Sequence, residues 1–266
     1  YLQSITFDAA WLAGDNVVLL PCLHEELTAF MEPFRVLLES VSGVLFISPE
    51  EARFAVGELG LDIDHSAVIG VGVEFQLPGD SASVKEETPY LLYVGRLEKG
   101  KNVPLLYDFV RRYIREGGDL KLVIAGDGSC KPPDGQEFEY LGPVSDEEKD
   151  HLYGGALALC QPSSNESFSL VIMESWLAQR PVLVWAGCDV TRGHVQRSKG
   201  GLWFENYEEF EEAVTWFRKH DTAAARMGVN GSKYVKENFT WEDVFDRFAR
   251  TLVKWGVGEF IFGERG

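Results

Sequence analysis

Short runs of uninterrupted apolar residues alternate with amphipathic stretches through the first two thirds of this chain. The runs are Asn16–Leu20, Gly43–Ile47, Ala67–Val71, Tyr90–Val94, Leu120–Ala125, Phe138–Leu141, Ala156–Cys160 and Val182–Trp185. A strand with one wet face alternates polar and apolar residues. A strand apolar throughout is covered on both faces, as in a parallel sheet between two layers of helices. Helical periodicity fills the gaps at Glu25–Ser40, Val103–Glu116, Asp146–Leu152 and Leu170–Gln179. Ser48-Pro49-Glu50-Glu51 and Ser145 with Glu148 read as capping boxes that open helices. The last third is helical, at Tyr207–Lys219, Thr222–Lys236 and Trp241–Trp255, the last capped by Thr240. The expected fold class is α/β, a doubly wound, Rossmann-like parallel sheet whose ligand site lies at the carboxyl ends of its strands.

The 266 residues suffice for about two domains. Residues 1–88 carry 15 acidic and 3 basic side chains, whereas the remainder is nearly balanced, with 27 and 22. The segment Phe75–Pro89, polar and without periodicity, reads as a linker. The expected division is therefore 1–75, 76–239 and a closing helix in 240–266. A formal charge of −17 argues against nucleic acid as partner and against strong binding to anionic membranes, since both need Lys and Arg to meet phosphate. No apolar run approaches the ~18 residues of a membrane span. Four dispersed cysteines, Cys22, Cys130, Cys160 and Cys188, form no metal or disulfide pattern and read as buried, reduced thiols. With no basic, then apolar, opening stretch, the expected location is cytoplasmic.

Two strand-end loops hold residues suited to an anionic ligand. Gly95-Arg96-Leu97-Glu98-Lys99-Gly100-Lys101-Asn102 puts a glycine turn and two cations, Arg96 and Lys101, between a strand and a helix. Alone, it reads equally as a solvated basic turn. Pro162–Ser169 is a small polar loop before a helix whose free N–H groups face an anion. Glu166 lies in that loop and Glu174 lies more than one turn into the helix, where a carboxylate can accept two hydrogen bonds from a vicinal diol. An N-terminal Glu and an ordinary surface Glu would look the same. His24 follows a strand directly and, taken alone, is more often a cap or surface residue. Asp62-Ile63-Asp64 resembles a metal-binding Asp-x-Asp but sits in a glycine-rich connector, so no metal site is expected. His194 is either a helix-surface residue or within reach of the cleft. Trp203, Trp216 and Trp241 read as core.

The order GRLEKGKN, LVIAGDGS, YLGPV and PSSNESFSLVIMESWLAQRPVLV resembles the nucleotide-sugar half of family 4 retaining glycosyltransferases of GT-B fold, over about residues 90–204. The sequence departs from that family at Ser169 and Arg180, where glycine is usual. The resemblance implies a donor domain and a partial acceptor-side Rossmann-like domain. It implies transfer of a hexose from a nucleotide diphosphate sugar, the co-substrate, to an acceptor hydroxyl, with retention and with no cofactor or metal. Arg96 and Lys101 would neutralise the diphosphate, Glu166 would contact the sugar and Glu174 the ribose. Backbone amides of Phe168, Ser169 and Leu170 would hold the distal phosphate, and the Leu141–Val144 turn would line the base. Gly95, Gly126, Gly142, Val144 and Ser167 complete the implied donor set. His24 matches an active-site histidine that contacts the donor sugar and transferring centre. The acceptor, a saccharide, lipid-linked or small molecule, is not legible. A nucleotide-sugar epimerase and a non-catalytic sugar-nucleotide binder of the same fold are the alternatives. Only three strands precede the linker, so the acceptor side is expected to be partial. Residues 1–266 alone are expected to bind donor but transfer sugar poorly.

Overall fold

The computed structural model describes residues 4–13, 17–74 and 89–256, and the chain divides into two compact units. Residues 75–88, which carry most of the expected linker, lie outside the described residues, as does Asn16. The first unit comprises Tyr1–Glu74 with Asn238–Gly266, and the second Phe75–Glu237.

In the first unit α1 (Ser4–Ala13) precedes β1 (Val18–Leu19), α2 (Glu32–Ser40), β2 (Gly43–Phe46), α3 (Pro49–Arg53) and β3 (Ser66–Val68). The three strands are parallel in the order β1-β2-β3. β3 starts one residue before the expected Ala67–Val71 and ends three before it, because Gly70 turns into the left-handed region at φ +79. The single helix expected over Glu25–Ser40 is instead a 3-10 turn at Leu27–Phe30 and then α2, since Pro33 can enter a helix only in its first turn. Ser48 caps α3 by accepting the Glu51 N–H at 3.1 Å, so half of the expected capping box forms. The Glu51 carboxylate binds elsewhere. It accepts the N–H of Leu23 at 2.6 Å and of Ile47 at 2.7 Å, tying the loop after β1 to the end of β2.

The second unit is a six-stranded parallel sheet. Its elements are β4 (Tyr90–Val94), α4 (Val103–Arg115), β5 (Lys121–Ala125), β6 (Phe138–Gly142), α5 (Asp146–Gly155), β7 (Ala158–Gln161), α6 (Leu170–Leu177), β8 (Val182–Trp185), α7 (Asp189–Ser198), β9 (Gly201–Phe204), α8 (Tyr207–Lys219) and α9 (Asp221–Asn238). Strand order is β6-β5-β4-β7-β8-β9. The chain builds outward from β4 through β5 and β6, then returns by α5 to lay β7 on the other side of β4. That reversal opens a crevice between the carboxyl ends of β4 and β7, the place where a doubly wound sheet binds ligand. One face of the sheet buries Leu91, Tyr93, Leu122 and Ile124 against Leu106 and Val110 of α4 and Phe210, Val214 and Phe217 of α8. At roughly 1.5–3 kcal/mol per large apolar side chain removed from water, this cluster dominates the unit's stability.

The sequence pattern missed β9 and α7. β9 is a short edge strand that approaches β8 only because Gly201 has no side chain: a Cβ there would lie 2.1 Å from the Val182 carbonyl oxygen. α7 carries few apolar residues and a central Gly193, so its periodicity is faint. Two tryptophans correct the core reading, Trp203 at 42% and Trp241 at 60% exposed, whereas Trp216 packs on the main core. The last helix, α10 (Trp241–Lys254), belongs to the first unit. Its Arg247 donates to the Ile69 carbonyl at 2.9 Å, and Gly43 and Gly72 leave room for the rings of Trp255 and Trp241. Among the described residues no helix is long and apolar enough to cross a membrane.

Burial pushes the Glu51 carboxyl up to about 7 from its ordinary 4.5, against the pull of the backbone N–H groups it accepts. The folded state thus holds this proton more tightly than the unfolded chain. The stabilisation is present below pH 4.5 and is lost as pH rises towards 7. The stability of the parent relative to Glu51→Gln is expected to fall by up to about 3 kcal/mol across that window and to level off above it. Urea midpoints of both proteins from pH 4 to 8 measure this; a difference that grows with pH would contradict it.

Candidate functional site

The loops after β4, β5 and β6 are bonded into one floor beside the crevice. Gly95 N–H donates to the Ala125 carbonyl at 3.0 Å, Leu97 N–H to Asp127 at 2.9 Å and Gly126 N–H to Gly142 at 2.8 Å. Gly126, at φ +141, must be glycine, for a Cβ would sit 1.9 Å from the Gly95 oxygen. On this floor the 3-10 turn Lys99–Lys101 and a left-handed Asn102 lead into α4. The Lys101 ammonium meets Glu166 Oε1 at 2.7 Å across the crevice, with the two side chains 20% and 11% exposed. Gln161, the last residue of β7, donates its amide to the same oxygen at 3.3 Å. Arg96 stands apart: it is 72% exposed and pairs with Glu98 at 3.4 Å. The two cations read together from the sequence thus engage different carboxylates.

On the other wall, Ser163 is buried and its hydroxyl donates to the Asn165 carbonyl at 3.0 Å, shaping the loop that carries Glu166 and Ser167. Phe168 is buried and stands edge-on to His194, with ring centroids 5.1 Å apart. His194 is 1% exposed, which corrects its reading as a helix-surface residue; its Nδ1 lies 3.0 Å from the Tyr234 hydroxyl. Helix α6 starts at Leu170, where the periodicity places it, with that residue exposed. Its first N–H groups precede the hydrogen-bonding range of the helix and form its positive end.

Glu174, one turn into α6, has a donor on each oxygen. Lys149 Nζ approaches Oε1 at 3.1 Å and the Tyr153 hydroxyl reaches Oε2 at 2.8 Å. Lys149 is shared with Asp146, also at 3.1 Å. Burial alone would lower the Lys149 ammonium, but the two carboxylates outweigh it and raise it, so the lysine stays charged. Tyr153 is buried, and its hydroxyl is held well above the ordinary phenol range by that burial and by Glu174. A carboxylate has about four acceptor positions, so a pinned Glu174 still has capacity for two hydroxyls. Beside α5 an open cavity of about 350 Å³ is lined by Leu141, Pro143, Val144, Glu148, His151 and Leu152. Gly142 turns the chain at its mouth with φ +72.

Lys149, Tyr153 and Gln161 had no signal in the motifs, since each reaches its glutamate through tertiary packing. The reading of Lys149 and Tyr153 needs α5 to lie along α6, which spacing does not reveal. His24 belongs to the first unit, where its Nδ1 lies 3.8 Å from Glu26 Oε1 and is buried without a hydrogen-bond partner among the described residues. Asp62 and Asp64 are exposed, and the Asp62 N–H donates to Glu39 at 3.2 Å. Cys22 and Cys130 are half-buried rather than buried, and all four thiols are free.

The two departures from glycine separate in the structure. Ser169 caps α6 at φ +72, ψ 78, so the constraint there is backbone conformation and not only size. In the turn after α6 the left-handed residue is Gln179 at φ +56, one position before Arg180, so Arg180 is under no such strain. Its guanidinium instead donates to the Gly154 carbonyl. Ser169→Gly is expected to stabilise the fold by about 1 kcal/mol, because a non-glycine residue pays about 1–2 kcal/mol in this region. Thermal unfolding of the variant tests this; an unchanged or lowered midpoint would contradict it.

The model of the family described as "Glycosyl transferases group 1" matches residues 80–234. D-inositol 3-phosphate glycosyltransferase of Corynebacterium diphtheriae is 23% identical over 235 residues, covering 77% of this chain and 54% of that protein. Trehalose synthase of Rubrobacter xylanophilus is 23% identical over 214 residues, covering 73% and 44%. The chain thus spans about half the length of the curated relatives it matches. Among solved structures, Anabaena HepE in complex with UDP-glucose superposes with a TM-score of 0.76 at 17% identity, covering 94% of this chain and 75% of that one. At that identity the likeness concerns fold, and it is the GT-B architecture of such enzymes.

Proposed function

The chain belongs to the group 1 glycosyl transferases, and from that premise we propose that it transfers a hexose from a nucleotide diphosphate sugar to an acceptor hydroxyl, with retention and without a required metal. The observation that carries this reading is the Lys101–Glu166 pair, held at 2.7 Å where the strand order reverses. A cation in that crevice suits a diphosphate, and a carboxylate beside it suits sugar hydroxyls. In this reading an arriving diphosphate draws the Lys101 ammonium from the Glu166 carboxylate to phosphate.

In this reading the leaving diphosphate is stabilised by fixed positive charge, the largest lever available to such a reaction. Lys101 and the α6 end supply it, and Arg96 joins them by turning from Glu98, a movement that its exposure permits. Glu174 accepts the ribose hydroxyls while Lys149 and Tyr153 hold its carboxylate plane. The base rests against Leu141, Pro143 and Val144 in the open cavity. Glu166 holds the transferred sugar. That HepE is a UDP-glucose complex supports a nucleotide sugar as donor; the acceptor is left open.

Glu174→Ala is expected to weaken nucleoside diphosphate binding about tenfold, the scale of a lost hydrogen bond to a charged group. Glu166→Ala is expected to keep that affinity within about twofold while lowering turnover by about two orders of magnitude. Calorimetry and product analysis with UDP-, GDP- and ADP-glucose test both, and parental behaviour in both variants would refute the assignment. Turnover is also expected to persist in excess EDTA. Its loss, with rescue by manganese, would overturn this and point to Asp62 and Asp64 as metal ligands.

A further inference from the structure

Gln161 is out of keeping with its surroundings. It ends β7, in register with Val184 of β8, after the buried apolar residues Ala158, Leu159 and Cys160, and is itself 3% exposed. A buried amide is costly unless all its groups are paired. Here the pairing is one-sided. Its NH2 must face Glu166, because a carboxylate only accepts, and that fixes which end of the amide points where. Its Oε1 is then left buried with no partner among the described residues, a cost that leucine at this position would not carry. Stability therefore gives no reason for Gln161, whereas the geometry at Glu166 does.

Both donors to Glu166, the Lys101 ammonium and the Gln161 amide, converge on Oε1. Among the described residues none donates to Oε2, which leaves that oxygen for a ligand hydroxyl. The two donors differ in one respect. A lysine ammonium on a flexible stem is attracted to an arriving diphosphate, whereas a neutral amide locked in the sheet is not.

We propose that Gln161 is a positioning residue for the transferred sugar: it keeps the Glu166 carboxylate aimed at the sugar hydroxyls when Lys101 turns to the diphosphate. This rests on the reading of Glu166 as the sugar-contacting carboxylate, and the test separates the two. The titratable groups facing Glu166 are Lys101, the Tyr93 hydroxyl and the Cys188 thiol, and burial pushes the last two upward, away from neutral pH.

The test uses the 266-residue chain and compares dissociation constants for a nucleoside diphosphate and its glucose conjugate, taking whichever of the UDP, GDP and ADP pairs the parent binds. Gln161→Leu is expected to bind the diphosphate within about twofold of the parent and the glucose conjugate about tenfold more weakly. Gln161→Glu is expected to keep the sugar's contribution near pH 5, where a protonated carboxyl donates to Glu166 as the amide does. It should lose that contribution by pH 8, where two carboxylates repel. Unchanged affinities in Gln161→Leu, or equal weakening of both ligands, would overturn the proposal, as would a pH-independent Gln161→Glu. If the leucine variant fails to fold, the pH behaviour of Gln161→Glu decides alone. Glu166→Ala distinguishes the failures. If it keeps the sugar's contribution, the reading of Glu166 falls and the proposal with it. If it loses that contribution while Gln161→Leu retains it, only the role of Gln161 falls. Binding of none of the three pairs would refute the donor reading itself.

Discussion

A lysine ammonium and a glutamate carboxylate, both largely withdrawn from water, meet where the strand order turns between β4 and β7. Withdrawing two charges costs several kcal/mol each and is repaid only by close geometry and further hydrogen bonds. The molecule supplies both, through a 2.7 Å contact and the Gln161 amide. Such a pair is weak evidence of stability, since apolar residues of like size would serve the sheet as well. In the proposed function each partner has another use, the cation for phosphate and the carboxylate for hydroxyls.

That pair depends on rigid loops. Gly126 allows the backbones after β4 and β5 to touch, while Gly95 and Gly142 supply positive-φ turns, and the hydrogen bonds among these segments make the floor of main chain. The opposite wall uses a different device. Ser163 folds the loop onto itself, Phe168 anchors it against His194, and Ser169 accepts a left-handed conformation to start α6. Backbone strain of this kind persists only where the surroundings enforce it. Here it aims the first amides of α6, whose positive end serves the proposed phosphate.

The sheet and its crevice were legible because unbroken apolar strands such as Tyr90–Val94 and Val182–Trp185 admit little besides a covered parallel sheet. That Lys101 and Glu166 follow strands β4 and β7, and that Glu174 lies in the helix after them, was legible from the strand ends and helix starts. Lys149, Tyr153 and Gln161 were not, since they come to their glutamates through packing between elements far apart in the chain. The partner of Arg96 was not legible either: its exposed guanidinium pairs with Glu98 two residues on. Glu51 read as an ordinary helix cap, because its bond to Leu23 spans 28 residues. His194 and β9 escaped for the same reason, their placement being decided by tertiary contacts and not by local periodicity.

The most direct measurement is a crystal structure of this chain with a nucleoside diphosphate glucose bound. The expected result places the diphosphate between Lys101 and the first turn of α6, the ribose on Glu174 and the glucose on Glu166, with Lys101 Nζ moved from carboxylate to phosphate. A nucleotide bound away from the β4–β7 crevice, or bound there with the Lys101–Glu166 contact unchanged and no phosphate on Lys101, would contradict the proposed site.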